Sequence, residues 1–188
     1  MLQDEVKKAI EVLKAGGIIL YPTDTVWGIG CDATNPEAVK KVYEIKRRED
    51  SKALICLVDS EARLSRYVRQ VANVTWDMIE MSERPLTVIY NHVTGLAPNL
   101  LAEDGSAGIR ITHEEFSKEL CFRFQKPIVS TSANISGEPT AQTFDEISNE
   151  IKQAVDYIVH YSQRCKEKHQ PSSIIKIDEN GQFTIIRE

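Results

Sequence analysis

Gly16-Gly17-Ile18-Ile19-Leu20-Tyr21-Pro22-Thr23-Asp24-Thr25 carries the first clear signal of architecture in this 188-residue chain. An apolar run this short, bounded by glycines on one side and proline on the other, reads as a strand buried on both faces. The glycines also end the helix before it. Over 4–15, Val6, Ile10 and Leu13 recur at i, i+4 and i+7, with Asp4 as the expected N-cap. Thr23, Asp24 and Thr25 follow the strand, where α/β proteins place ligand contacts. A tight turn closed by its own hydroxyls and carboxylate fits the same residues. Gly28 and Gly30 are expected to keep the next segment flexible.

Further along, Asn35-Pro36-Glu37 starts a helix with an N-cap residue and a proline at its first position. Ala38, Val42 and Ile45 form its buried stripe, and it ends near 46–48. A strand is expected over 53–58, and largely helical structure over 60–81 from Leu64, Tyr67, Val68 and Val71. Pro85 interrupts before a strand over 86–90, and 92–104 reads as an exposed loop or short helix. A strand over 108–111 places Arg110 among apolar neighbours, so it needs an anionic partner, either a structural carboxylate or a ligand. A helix over 113–124 and a strand over 127–129 follow. Next comes the hydroxyl-rich loop Ser130-Thr131-Ser132-Ala133-Asn134-Ile135-Ser136-Gly137-Glu138-Pro139-Thr140, whose small donors suit phosphate oxygens. Thr143 and Glu146 suggest a capping box for a helix over 143–151. Strands are expected over 155–161, 173–177 and 183–187, the last after the turn Glu179-Asn180-Gly181, with a polar loop over 162–171 between the first two. No repeat or linker divides this pattern, so the expectation is one α/β domain over 1–188 with a mixed sheet.

The bulk composition narrows the function. The formal net charge is -5, with 41% hydrophobic and 27% charged residues, as in ordinary globular proteins. A pI near 5.5 argues against a surface that binds nucleic acid throughout. Met1-Leu2-Gln3-Asp4-Glu5-Val6-Lys7-Lys8 lacks the apolar run of a signal peptide, and no apolar run is long enough for a bilayer. The expected location is therefore the cytoplasm, with no membrane attachment. Cys31, Cys56, Cys121 and Cys165 form no C-x-x-C pair, and His92, His113, His160 and His169 stand at no metal-ligand spacing. Free thiols and no metal-ligating set are expected. Neither a G-x-G-x-x-G turn nor a P-loop is present.

Against this acidic background Lys40, Lys41, Lys46, Arg47, Arg48 and Lys52 crowd one short region. A cationic cluster of this kind suggests a local anion. A solvated helix end, with cations at the negative pole of the macrodipole, accounts for it as well. If the chain is extended after Lys46, then Lys46 and Arg48 converge on one side and Arg47 faces outward.

Three stretches taken together resemble the YrdC-like family of threonylcarbamoyl-AMP synthases. They are the run from Gly17 through Tyr21-Pro22-Thr23-Asp24-Thr25-Val26-Trp27 to Gly30, the Lys46-x-Arg48 pair, and Ser130-Thr131-Ser132-Ala133-Asn134-Ile135-Ser136-Gly137. Pro85-Leu86-Thr87, Gly108-Ile109-Arg110 and Pro171-Ser172-Ser173 fall in the family's order, so the likeness runs from about Glu5 to Arg187. It implies a twisted mixed sheet flanked by helices around a basic cavity. The implied activity makes threonylcarbamoyl-AMP and pyrophosphate from L-threonine, bicarbonate or CO₂, and ATP. A separate threonylcarbamoyl transferase complex then modifies tRNA.

On the same resemblance Lys46, Arg48, Ser132 and Asn134 are the catalytic, triphosphate-lining set. Lys52, Ser106, Thr140 and Arg187 are further ATP contacts, and Mg²⁺ comes with the ATP. Thr25, Arg110, Ser130 and Ser172 hold threonine, with Arg110 on its carboxylate. The resemblance also implies an alternative, since some members are described as binding double-stranded RNA in the same cavity; a tRNA-binding or ribosome-associated factor without catalysis is the competing reading. This chain departs from the family pattern at Trp27, Glu49, Ala53, Arg84, Ser173 and Lys176, none of them in the K-x-R or S-x-N pairs.

Overall fold

The computed structural model describes residues 1–48, 54–165, 167 and 169–188. Its opening helix, α1 (Leu2–Lys14), buries Val6, Ala9 and Leu13 on one stripe. The helix starts earlier than Asp4, whose carboxylate instead accepts from the terminal amine of Met1 at 3.0 Å. Gly16, at φ 74°, turns the chain into β1 (Ile19–Tyr21). As the apolar run implied, both faces of this strand are covered. Ile19 and Tyr21 pack with α1, whereas Ile18 and Leu20 face the larger core on the other side.

The segment expected to be flexible is a buried strand, β2 (Gly28–Gly30), antiparallel to β1. Its glycines provide close approach. A Cβ on Gly30 would lie 2.5 Å from the Val129 carbonyl and 2.6 Å from Cε1 of Tyr21. The Tyr21 ring reaches across this gap to donate its hydroxyl to the same carbonyl at 3.0 Å. Gly30→Ala is therefore expected to destabilise the protein by about 1–3 kcal/mol through overpacking against backbone. The midpoint of urea unfolding measures this, and an unchanged midpoint would contradict it.

Helix α2 (Pro36–Lys46) is capped by Asn35, whose side chain accepts from the amides of Glu37 and Ala38. Next come β3 (Ile55–Val58), α3 (Glu61–Leu64), α4 (Asn73–Met81) and β4 (Leu86–Tyr90). The expected helix over 60–81 is thus two short ones, because Val68 between them makes an antiparallel bridge to Val93. The 92–104 stretch is less exposed than expected. It includes a 3-10 turn (Pro98–Leu100), buries Leu96, Ala97 and Leu100, and accepts the hydroxyl of Tyr43 of α2 at the Asn99 carbonyl.

The chain continues through β5 (Ala107–Ile111), α5 (Glu115–Phe124), β6 (Ile128–Ser132), α6 (Asn149–Ala154), β7 (Tyr157–Ile158), β8 (Ser173–Ile177) and β9 (Phe183–Arg187). The helix expected over 143–151 starts later. The carboxylate of Glu146 accepts the amide of Gln142, and Ser148 caps α6 through Ile151. β7 is shorter than expected, since it pairs with a β1 of only three residues. The hydroxyl-rich run begins inside β6, where Ser130 pairs with Ile55 and Ser132 with Gly28.

Among the described residues nine strands form one mixed sheet in the order β7-β1-β2-β6-β3-β5-β4-β8-β9. Helices α1 and α5 cover one face over Ile19, Tyr21, Leu57 and Ile128, and α2 packs on the other over Cys56, Val58 and Val129. Among the described residues no helix is long and apolar enough to cross a membrane. The cysteines are free, with Cys31, Cys56 and Cys121 buried and Cys165 exposed.

Candidate functional site

Side-chain alternation in the central strands places Arg110, Ser130, Ile55 and Gly28 around one cleft. All four residues expected to hold threonine, Thr25, Arg110, Ser130 and Ser172, line it. So do Arg48, Ser132, Thr140 and Arg187 of the expected nucleotide set. Residues more than 160 positions apart thus meet across the sheet, and three guanidinium groups face a wall of hydroxyls.

Arg110 has its anionic partner. Its Nη2 stands 2.8 Å from Oδ1 of Asp24, and the two side chains are 2% and 10% exposed. Its contacts to the hydroxyls of Thr25 and Thr87 are long, at 3.4 Å each. Thr87 is fully buried and shares a 2.9 Å hydrogen bond with Ser172 Oγ. Arg187 donates from Nε and Nη2 to the Ser172 carbonyl at 3.0 and 2.8 Å. Burial and the neighbouring Arg110 charge pull the Arg187 guanidinium below its usual pKa.

Lys46 does not line this cleft. It is 2% exposed, and its Nζ donates to the carbonyls of Ser132 and Asn134 at 2.6 Å each. Its own carbonyl accepts from the amide of Ser136 at 2.9 Å. Lys46 therefore ties the end of α2 to the loop after β6. Burial, with Arg48 nearby, pulls its ammonium down to about 8. Arg47, at φ 48°, is in the left-handed region, so the chain is not extended there. The outward turn of Arg47 nevertheless holds, and its guanidinium pairs with Glu150 on the surface.

Asn134 does not line the cleft either, and its Nδ2 donates to the carbonyls of Ile135 and Glu138. Ser106 lies apart, buried in the turn before β5, where its amide donates to Asp104. Lys52, like Glu49 and Ala53, lies outside the described residues. Lys176 pairs with Asp104 at 2.7 Å. That contact and the Ser106 donors hold the Asp104 carboxyl well below the usual range. Among the described residues no group of three or more His, Cys, Asp or Glu is placed to hold a metal.

Sequence reasoning placed Asp24 among candidate ligand contacts after the first strand without giving it a partner, and did not single out Thr87 as a site residue; both stand beside Arg110 without lining the cleft. Both stand in quoted stretches, Asp24 beside Thr25 and Thr87 in Pro85-Leu86-Thr87, but their proximity to Arg110 depends on strand pairing. A second cleft lies beside the Pro22-to-Trp27 loop, lined in part by Asp24, Thr25, His113 and Glu114. Burial pushes the Glu114 carboxyl up, against hydrogen bonds from Ser117 and Phe116, and the charge of Asp24 adds to the rise.

Fold and site together define an α/β protein with a mixed sheet and a cleft lined by guanidinium and hydroxyl groups. The Sua5/YciO/YrdC family model, described as "Telomere recombination", matches residues 11–188. The chain belongs to this family. A putative threonylcarbamoyl-AMP synthase from Methanocaldococcus jannaschii is 40% identical over 189 residues, covering 97% of this chain and 87% of that protein. The E. coli YciO structure matches with a TM-score of 0.85 at 23% identity, over 99% of this chain and 89% of that one. P. abyssi Sua5, solved in complex with L-threonine, matches with a TM-score of 0.80 at 21% identity. That match covers 92% of this chain and 50% of the Sua5 chain, so the present chain spans about half its length. Both structural likenesses concern the fold.

Proposed function

We propose that the protein is an L-threonylcarbamoyladenylate synthase, a nucleotidyltransferase that converts L-threonine, bicarbonate and ATP into threonylcarbamoyl-AMP, pyrophosphate and water. The observation that carries this reading is the single cleft shared by residues expected to hold threonine and residues expected to hold ATP. The name of the 40%-identical M. jannaschii relative supports it.

Arg110 binds the threonine carboxylate, with Thr25, Ser130 and Ser172 around it. The amine captures CO₂ as a carbamate, whose oxygen attacks the α-phosphate in line while pyrophosphate leaves. An already anionic nucleophile needs no strong base, so the demands on the protein are positioning and charge stabilisation. Arg48 and Arg187, with the hydroxyls of Ser132 and Thr140, face the phosphates of an incoming Mg²⁺–ATP. Lys46 braces that wall through the Ser132 and Asn134 carbonyls, and the Asn134 side chain holds the following turn through the Ile135 and Glu138 carbonyls. Lys52 stays a further expected nucleotide contact, whereas Ser106 supports the turn before β5 instead. With Arg110 offset by Asp24, Arg48 and Arg187 are the charges that would make the cavity attract phosphates although the chain is acidic. The product is a mixed anhydride that a separate threonylcarbamoyl transferase would move onto tRNA in the cytoplasm.

The test is pyrophosphate release by the purified protein. Release is expected only when ATP, L-threonine and bicarbonate are all present. Release no greater than that of an Arg48→Ala control would sink the proposal. Salt-sensitive tRNA or duplex RNA binding, with no such release and no effect of threonine, would favour the RNA-binding alternative.

A further inference from the structure

Thr87 stands between two residues that line the cleft without lining it itself. Strand register puts it there. Val88 of β4 faces Ile109 of β5, so Thr87 falls beside Arg110; on the other edge of β4, Leu86 pairs with Ser173 of β8. Thr87 is fully buried, and its hydroxyl has two polar neighbours, Nη1 of Arg110 at 3.4 Å and Oγ of Ser172 at 2.9 Å. Ser172 is held from its far side as well. Its carbonyl accepts from Nε and Nη2 of Arg187, and its Oγ stands 3.4 Å from that same Nη2.

The two ends of this row fix the direction of its protons. A guanidinium only donates, so the Thr87 hydroxyl cannot direct its proton toward Arg110. If Ser172 donated to Thr87, the Thr87 proton would have no acceptor in a site closed to water, which is the costly arrangement for a buried hydroxyl. Thr87 therefore donates to Ser172. Ser172 Oγ accepts from Thr87 and faces a second donor-only group in Arg187, so its own proton has no acceptor among the described residues. Ser172 borders the cleft together with Arg110 and Arg187. An acceptor brought by a ligand can take that proton.

We infer that Thr87 is a positioning residue, which makes Ser172 a fixed hydrogen-bond donor to the substrate carboxylate alongside Arg110. The inference rests on the threonine-binding reading above. It adds a residue outside the set that touches substrate, and it states that the Ser172 hydroxyl donates there and does not accept. A donor oriented before the ligand arrives avoids the cost of ordering it on binding.

Calorimetric titration with L-threonine and steady-state pyrophosphate release test it in Thr87→Val, which keeps the shape but not the hydroxyl, and Thr87→Ser, which keeps the hydroxyl. Thr87→Val is expected to weaken threonine binding by roughly fivefold or more, the scale of one net hydrogen bond, and to raise KM for threonine while KM for ATP stays within about twofold. Thr87→Ala, a second variant without the hydroxyl, should behave alike. Thr87→Ser should stay within about twofold of the wild type. Adding Thr87→Val to Ser172→Ala should cost less than about twofold more, because the hydroxyl that Thr87 orients is gone. Equal losses in the serine and valine variants, a matching rise in KM for ATP, or additive losses in the double variant would show a packing role and overturn the inference. Wild-type affinity in Thr87→Val would overturn it while leaving the proposed function in place. A wild type that binds no threonine removes the proposed function and this inference with it.

Discussion

Replacing Arg110 by glutamine is expected to abolish threonine-dependent pyrophosphate release, by roughly a hundredfold or more in kcat/KM for threonine. Glutamine retains donors but cannot make the charged, planar contact that a carboxylate requires. The same substitution leaves Asp24 as a buried carboxylate without its cation. Breaking one side of such a pair costs about 3–5 kcal/mol, which a urea midpoint would register. The double variant Asp24→Asn, Arg110→Gln separates the two effects. It should recover most of the lost stability, because no unpaired charge remains, while activity stays lost. Full activity in Arg110→Gln would remove the carboxylate role. A double variant no more stable than the single one would show that the loss came from packing.

The second large effect contrasts two neighbouring arginines. Arg48 lines the cleft, whereas Arg47 points into solvent beside Glu150. Arg48→Ala is expected to lower kcat/KM for ATP by about 10²–10³, the usual cost of removing one donor aimed at developing phosphate charge. Arg47→Ala should stay within about twofold, because an exposed ion pair contributes only about 0–1 kcal/mol to stability and none to the site. Equal losses at both positions would mean that the cationic stretch acts as an undifferentiated patch. The physical basis of the contrast differs from simple strand alternation. Lys46 ends α2 and Arg47 adopts a left-handed conformation, so the turn itself sends the two arginines apart.

Much of the architecture was legible because it depends on local chemistry. The apolar run at Ile18 to Tyr21, the Asn35-Pro36 cap, and the strands at 86–90, 173–177 and 183–187 declare themselves through periodicity and turn residues. Gly28 and Gly30 were read as flexible because glycine has no side chain to mark a strand. They form one because the Tyr21 ring and the β6 backbone need the space a Cβ would fill. The expected helix at 143–151 failed for a related reason. Thr143 and Glu146 have the right spacing for a capping box, but the Glu146 carboxylate is used by Gln142 and the cap is Ser148.

By itself, the amino-acid sequence determined the α/β class, the order of most elements and the residue types at the cleft, including a buried Arg110 that had to find an anion. Those follow from interactions between near neighbours and from the cost of burying an unpaired charge. Only the tertiary structure decided that Asp24 is that anion, that Thr87 joins Ser172 to Arg110, and that Lys46 braces the wall from behind. Such pairings depend on strand order and register, which bring the loop after β1, β4, β5 and the residue before β8 into hydrogen-bonding distance of one another. No local pattern along the chain encodes those distances.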